Sequence, residues 1–229
     1  MNQEKIWSFY QTEGIDAFSG NHGRLEFLAR RLSAGEKVLN IGAGNAFLEA
    51  LAQTGGVDIH TLDPDEETIT GIRRRLGLGD KAQVGYSNAI PFPDGFFDKL
   101  VMSEVLEHLD DQTLEATLGE VLRVLREGGT FIGTVPARES LFDSLVVCPS
   151  CGEKFHRWGH QQSFDIPRLA SVLQQEGFRV ETAEEIFFID WQGVGVKKKL
   201  AGLIKQFLSW RGIGTYGTNR NIWFIAHKP

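Results

Sequence analysis

The sequence predicts an α/β protein: a doubly wound, mostly parallel seven-stranded sheet with helices on both faces. Three observations carry that prediction. Strand-like apolar runs alternate with helical stretches along most of the chain, the pattern of repeated βαβ units. The run Phe97–Ser103 is nearly continuous in apolar character, as suits a strand covered on both faces. The segment Val38-Leu39-Asn40-Ile41-Gly42-Ala43-Gly44-Asn45-Ala46-Phe47-Leu48 passes from a strand through a glycine turn into a helix. Such a turn frames a nucleotide-sized pocket. Gly42 permits the sharp change of direction, Gly44 lets a ligand approach bare backbone, and the helix start presents unpaired N–H groups.

The elements follow in order. Residues 4–33 read as helical, interrupted at Gly14, Gly20 and Gly23, and form an N-terminal cap over residues 1–35. A strand at 37–41 leads to a helix at 45–53. A second strand at 58–63 precedes a helix at 66–76, with Ile69, Ile72 and Leu76 on one stripe. A short strand at 82–86, the strand at 97–103 and a helix at 113–125 come next. Gly128-Gly129 ends that helix, and a strand at 130–135 stops at Pro136. Residues 137–164 read as an irregular insert. Asp165 caps a helix at 166–176 that carries Pro167 in its first turn. Strands at 178–182 and 222–227 complete the sheet, within a single domain spanning 1–229.

Length and composition suit one soluble domain with a substantial core: 229 residues, 41% hydrophobic and 24% charged. No apolar run approaches the roughly 18 residues of a membrane-spanning helix. The N-terminus shows no signal-peptide apolar region, so a cytoplasmic location is the default. A net charge of −6 argues against broad binding to nucleic acid. The charge is uneven, however. Residues 191–229 carry +7 and no acid, leaving −13 on the remainder.

Three later segments give the glycine turn its meaning. Thr61-Leu62-Asp63-Pro64 ends a strand in an acid 21 residues after Gly42. Asn88-Ala89-Ile90-Pro91-Phe92-Pro93-Asp94 follows, and then Ser103-Glu104-Val105-Leu106-Glu107-His108 closes the fourth strand signal. Together these resemble the class I S-adenosylmethionine-dependent methyltransferases over about residues 36–182. The resemblance implies a Rossmann-like fold with the last strand antiparallel and S-adenosylmethionine as cofactor. It implies cofactor contacts from Gly42, Ala43, Gly44, Asp63, Pro64, Asn88, Ala89, Ser103 and Glu104. Asp63 would accept from the ribose hydroxyls, and Asn88-Ala89 would read the adenine. Tyr10, His22 and Arg24 would close over the methionine end, or would serve packing alone. Relatives commonly carry an acid at position 40 and glycine at position 46, where this chain has Asn40 and Ala46. A nicotinamide enzyme is disfavoured, because its fingerprint needs Gly or Ala where Phe47 stands.

Methyl transfer needs alignment of a nucleophile more than acid–base help. An oxygen acceptor would profit from a general base, and His108 is the positioned candidate. A histidine at that place could equally brace the cofactor loop.

Cys148, Cys151, His156 and His160 read C-x2-C-x4-H-x3-H, the donor set of a tetrahedral structural zinc site. The competing reading leaves His160 as a metal-free residue before the 166–176 helix, with His156 in an exposed loop. A further stretch, 189–221, is basic and amphipathic. Leu200, Leu203, Ile204, Phe207 and Leu208 form a helical stripe flanked by Lys197, Lys198, Lys199, Lys205 and Arg211. It would pack on the core or a second copy in a homodimer, or lie on a membrane surface near a lipid-like acceptor. The expected function is methyl transfer to a small-molecule or lipid-like acceptor. The alternative is a catalytically silent, cofactor-binding partner subunit that docks through the Cys/His insert and the basic helix.

Overall fold

The computed structural model describes residues 22–188, Ile204 and residues 220–229. Tyr10, most of the N-terminal cap and the basic 189–221 stretch apart from Ile204, Arg220 and Asn221 lie outside the described residues. The chain order is α1 (His22–Ala29), β1 (Lys37–Ile41), α2 (Phe47–Thr54), β2 (Asp58–Asp63), α3 (Glu66–Leu76), β3 (Ala82–Val84) and β4 (Phe97–Ser103). There follow α4 (Asp111–Val124), β5 (Leu125–Pro136), β6 (Leu145–Val147), β7 (Lys154–His156), α5 (Ile166–Gln175), β8 (Arg179–Ile186) and β9 (Asn221–His227).

Seven strands form one sheet in the order β3-β2-β1-β4-β5-β9-β8. Strands β1 to β5 are parallel, and β9 runs antiparallel between β5 and β8. The expected fold, with its antiparallel last strand, is therefore present.

The two faces of the sheet bury separate clusters, as the two-residue strand period requires. On β1, β4 and β5, Leu39, Leu100 and Phe131 join one cluster with α4 and α5. Their neighbours Val38, Val101 and Ile132 join the other, against α2 and α3. Packing is tight at Gly133, where an added Cβ would lie 2.6 Å from both Met102 O and the Phe224 ring. Glycine is required there by space.

Helix boundaries follow their caps. Asp65 accepts from Thr68 N–H, and Asp165 from Arg168 N–H. Asp110 accepts from Thr113 N–H, so α4 begins two residues before the expected position 113. Gly128-Gly129 lies inside β5, which starts directly after α4 with a register shift beside Phe97. The irregular insert contains a short antiparallel hairpin, β6–β7. Among the described residues no helix is long and apolar enough to cross a membrane.

Candidate active site

The order of strands reverses between β1 and β4, and ligands of open α/β sheets bind outside the strand ends at such a switch point. The glycine turn lies there. Gly42 has φ 87° and Gly44 φ 50°, both left-handed. A Cβ on Gly42 would meet Val105 Cγ2 at 2.8 Å, whereas one on Gly44 would meet open space. So Gly42 is needed for fit and conformation, and Gly44 leaves the backbone accessible.

Asp63 holds the turn in place. Its Oδ2 accepts from Ala43 N–H at 2.8 Å, and its Oδ1 accepts from Asp65 N–H across Pro64 at 3.0 Å. Ala46 stands before α2 with φ 59°, a left-handed conformation that alanine adopts at a cost of about 1–2 kcal/mol. Beneath the turn, Asn40 donates to Glu49 Oε1 at 2.7 Å, and Thr61 Oγ1 donates to the same oxygen at 2.8 Å. Glu49 is fully buried, and burial pushes its carboxyl above the usual range. Its role was invisible in the sequence, where it reads as an ordinary helix acid.

The end of β4 is tied to α1. Arg24 Nε donates to Ser103 Oγ at 2.9 Å, and its Nη1 lies 3.6 Å from Glu104 Oε2. Thr134 Oγ1 and Asn221 Nδ2 also donate to Glu104. These contacts hold Glu104 at φ 58°, which is costly for a residue with a side chain and is typical of functional sites. The His22 ring packs tilted at 47° against Phe47, with centroids 4.3 Å apart, so α1 covers the start of α2.

Asn88 and Ala89 are exposed on the loop after β3. Ala89 N–H closes a turn onto Tyr86 O at 3.1 Å, so it is already engaged where the adenine contact was expected. Arg123 and Glu120 on α4 fix this loop. Glu120 Oε2 accepts from Ile90 N–H, while Arg123 donates to Ile90 O, Phe92 O and Asp94.

Beyond β4, the 3₁₀ turn Leu106–His108 meets the segment before α5. Glu107 O accepts from Gln161 N–H at 2.7 Å and from Gln162 N–H at 3.0 Å. This brings His108 and His160 together, with ring centroids 4.6 Å apart. Burial, with His160 alongside, pushes His108 down to about 3. It is neutral at physiological pH, and far weaker than a general base working near neutrality needs to be. The bracing reading suits it better.

The four expected zinc ligands do not assemble. Cys148 and Cys151 lie at the tip of the β6–β7 hairpin, while His156 pairs with Leu145 at its other end. Two residue steps of strand separate Lys154 from His156, about 7 Å. His156 and His160 instead share Glu139, which pairs with His160 Nδ1 and lies 3.4 Å from His156 Nε2. Among the described residues the groups able to hold a metal are Glu107/His108/His160 and Glu139/His156/His160, and neither cysteine joins them.

The residues present fit S-adenosylmethionine at the turn, with backbone open at Gly44 and the Asp63 carboxylate at the end of β2. Fold and site thus define a nucleotide-cofactor α/β domain. A family profile described as "Methyltransferase domain" matches residues 10–183. The chain belongs to this family of enzymes. It is 30% identical over 167 residues to an S-adenosylmethionine-dependent methyltransferase of Mycolicibacterium smegmatis, covering 72% of this chain and 61% of that protein. The chain thus spans less than two thirds of that relative. It is 27% identical over 182 residues to a ubiquinone biosynthesis O-methyltransferase of Xanthomonas oryzae pv. oryzae, covering 75% of each. Among solved structures, a Burkholderia thailandensis 1,6-didemethyltoxoflavin-N1-methyltransferase aligns with TM-score 0.67 and 16% identity over 99% of this chain and 86% of that one. A complex between the Haloferax volcanii Trm112 methyltransferase activator and a methyltransferase aligns with TM-score 0.69 and 19% identity, over 98% and 97% of the two chains. These two likenesses concern the fold.

Proposed function

We propose that this chain transfers a methyl group from S-adenosylmethionine to a small-molecule acceptor. The observation that carries the reading is the Gly42–Gly44 turn locked to Asp63 at the sheet's switch point, in a chain of the methyltransferase family. The bound cofactor would supply a methyl group already activated on a sulfonium sulfur. Asp63 would accept from the ribose hydroxyls. The Asn88-Ala89 loop would lie along the adenine. Arg24 and Ser103 would border the methionine end, and the 137–164 insert would shape the acceptor pocket.

The chain's main contribution is alignment and exclusion of water. An acceptor of small-molecule type agrees with the name of the Xanthomonas relative. The test is incubation with methyl-labelled S-adenosylmethionine and a cell extract, followed by separation into organic, aqueous small-molecule and macromolecular fractions. Label in small molecules supports the proposal, and label in the organic fraction selects a lipid-like acceptor. Cofactor binding with no label transferred to any fraction would overturn it in favour of the silent partner subunit.

A further inference from the structure

We propose that Cys148 and Cys151 bind one zinc ion together with the same two cysteines of a second copy, so that a four-thiolate site and the apolar face of β6 join two chains. The hairpin tip is shaped for this. Cys148 N–H donates to Glu153 O at 2.8 Å, and Gly152 N–H donates to Cys148 O at 2.9 Å, which closes a tight loop around Pro149 and Ser150. Gly152 takes the left-handed conformation, φ 74°, that turns the chain away after the second sulfur. Inside the loop the backbone N–H groups of Cys151 and Ser150 donate to the Cys148 sulfur, and so does the Cys151 thiol. These donors hold the Cys148 thiol below its ordinary range and suit a thiolate, the form that ligates metal. The contact between the two thiols brings both sulfurs to one place.

Two thiolates do not complete a structural zinc site, which takes four ligands. The chain has two cysteines and six histidines in all. Every one of these histidines lies among the described residues, and neither cysteine belongs to a group of three or more ligating side chains there. The missing pair therefore comes from another molecule. A second copy brings an identical pair, and a two-fold axis through the ion sets four sulfurs around it.

The surface beside the cysteines fits such a contact. Leu145 and Val147 alternate onto one face of β6 and are 40% and 58% exposed. Phe142, in the turn just before, is 80% exposed. Three outward apolar side chains within six residues mark an interaction surface more than a solvated one. Charge permits the approach. Residues 141–158 carry Asp143 and Glu153 against Lys154 and Arg157, so two hairpins meet without net repulsion although each chain carries −6. A hairpin contact is small for a stable dimer, and zinc held by thiolates of both chains supplies the affinity that the area lacks.

The site does not rest on the methyl-transfer reading, and it is measured without methyl donor. Reduced, chelator-treated protein is titrated with Co²⁺, following the near-ultraviolet thiolate-to-cobalt absorption, and with Zn²⁺, following molar mass by light scattering. The proposal expects the absorption to saturate at one ion per two chains and the mass to double as zinc is added. Cys148→Ser and Cys151→Ser each abolish both signals. In chelator they melt with the parent, because Cys151 is exposed and Cys148 partly so. A Leu145→Glu/Val147→Glu double variant keeps both thiols and returns the protein to monomer at the same zinc concentration. Should a cysteine variant fail to fold, the stoichiometry of the parent and the mass of the double variant decide. Saturation at one ion per chain with no change of mass overturns the proposal. So does a dimer that persists in chelator, in the cysteine variants or in the double variant, and so does a reduced parent protein that binds no cobalt through sulfur.

Discussion

Asn40 and Glu49 are bonded side chain to side chain at 2.7 Å beneath the glycine turn, and Asn40 Nδ2 also lies 3.4 Å from Gly42 O. The pairing accounts for asparagine at a position where the resembled family commonly has an acid. In this chain the acid of the pair is Glu49, on the helix that follows the turn. An aspartate at position 40 would set two carboxylates against each other in a buried place. Asn40→Asp is therefore expected to destabilise the fold by about 1–3 kcal/mol. Glu49→Gln should restore most of that loss, since an amide can donate to the new carboxylate. Chemical denaturation of the two single variants and the double variant gives the coupling. Additive single effects would contradict the pairing.

Much of this arrangement was legible in the chain and part was not. Strand and helix periods, the glycine turn and the Asp165 cap are local features, so they could be read without the fold. The 130–135 strand was recognised but not its start at Leu125, because Gly128-Gly129 looks like a helix stop and instead lies in a strand. The β6–β7 hairpin escaped because three-residue strands carry too little periodicity to register. Cys148 and His156 looked like partners because spacing counts residues, whereas a hairpin places them at opposite ends. The burial of Glu49 and Glu107 depends on what packs over them, and nothing beside them in sequence announces it.

Arg123→Ala should loosen the 88–94 loop that is proposed to lie along the adenine. Its guanidinium reaches Ile90 O at 2.8 Å and Phe92 O at 2.9 Å, and it braces Glu120, which holds Ile90 N–H at 2.7 Å. Its contact with the exposed Asp94 adds little. The expected losses are about 1–3 kcal/mol of stability and weaker S-adenosylmethionine binding. Calorimetric titration would show the affinity change, and hydrogen exchange would show faster exchange at Ile90 and Phe92. An unchanged affinity would detach the loop from the cofactor site.

Gly42→Ala should damage the turn more than Gly44→Ala. Both positions have left-handed backbone, which costs an alanine about 1–2 kcal/mol. Only at Gly42 does the new methyl also meet a neighbour, Val105 Cγ2 at 2.8 Å. Gly44→Ala intrudes instead on the open side, where the cofactor would pass. The first variant is thus expected to lose mainly stability, and the second mainly cofactor affinity. Melting temperatures and binding isotherms measured side by side would separate the two. Equal losses of affinity with equal stability would refute the distinction.

His60 sets an acid limit on the fold. Its ring is buried edge-on among Phe92, Phe96 and Phe97, with centroids 5.5, 5.5 and 5.3 Å away. Burial lowers its pKa, and Asp58 at 3.5 Å opposes that only partly. An unfolded histidine protonates near pH 6.5, roughly. Below that pH the unfolded chain takes up a proton that the folded ring refuses. Stability is therefore lost as pH falls from about 6.5 toward the lower folded value. Above about pH 7.5 both states are neutral at this residue, and it contributes no slope. His60→Phe keeps an aromatic ring in the same box and cannot titrate. Relative to the parent, it should lose less melting temperature between pH 7.5 and 5.5. The buried carboxyls Glu49 and Glu107 titrate in both proteins, so their influence cancels in the comparison. Parallel curves for the two proteins across that range would show that His60 gains a proton in the fold as readily as outside it.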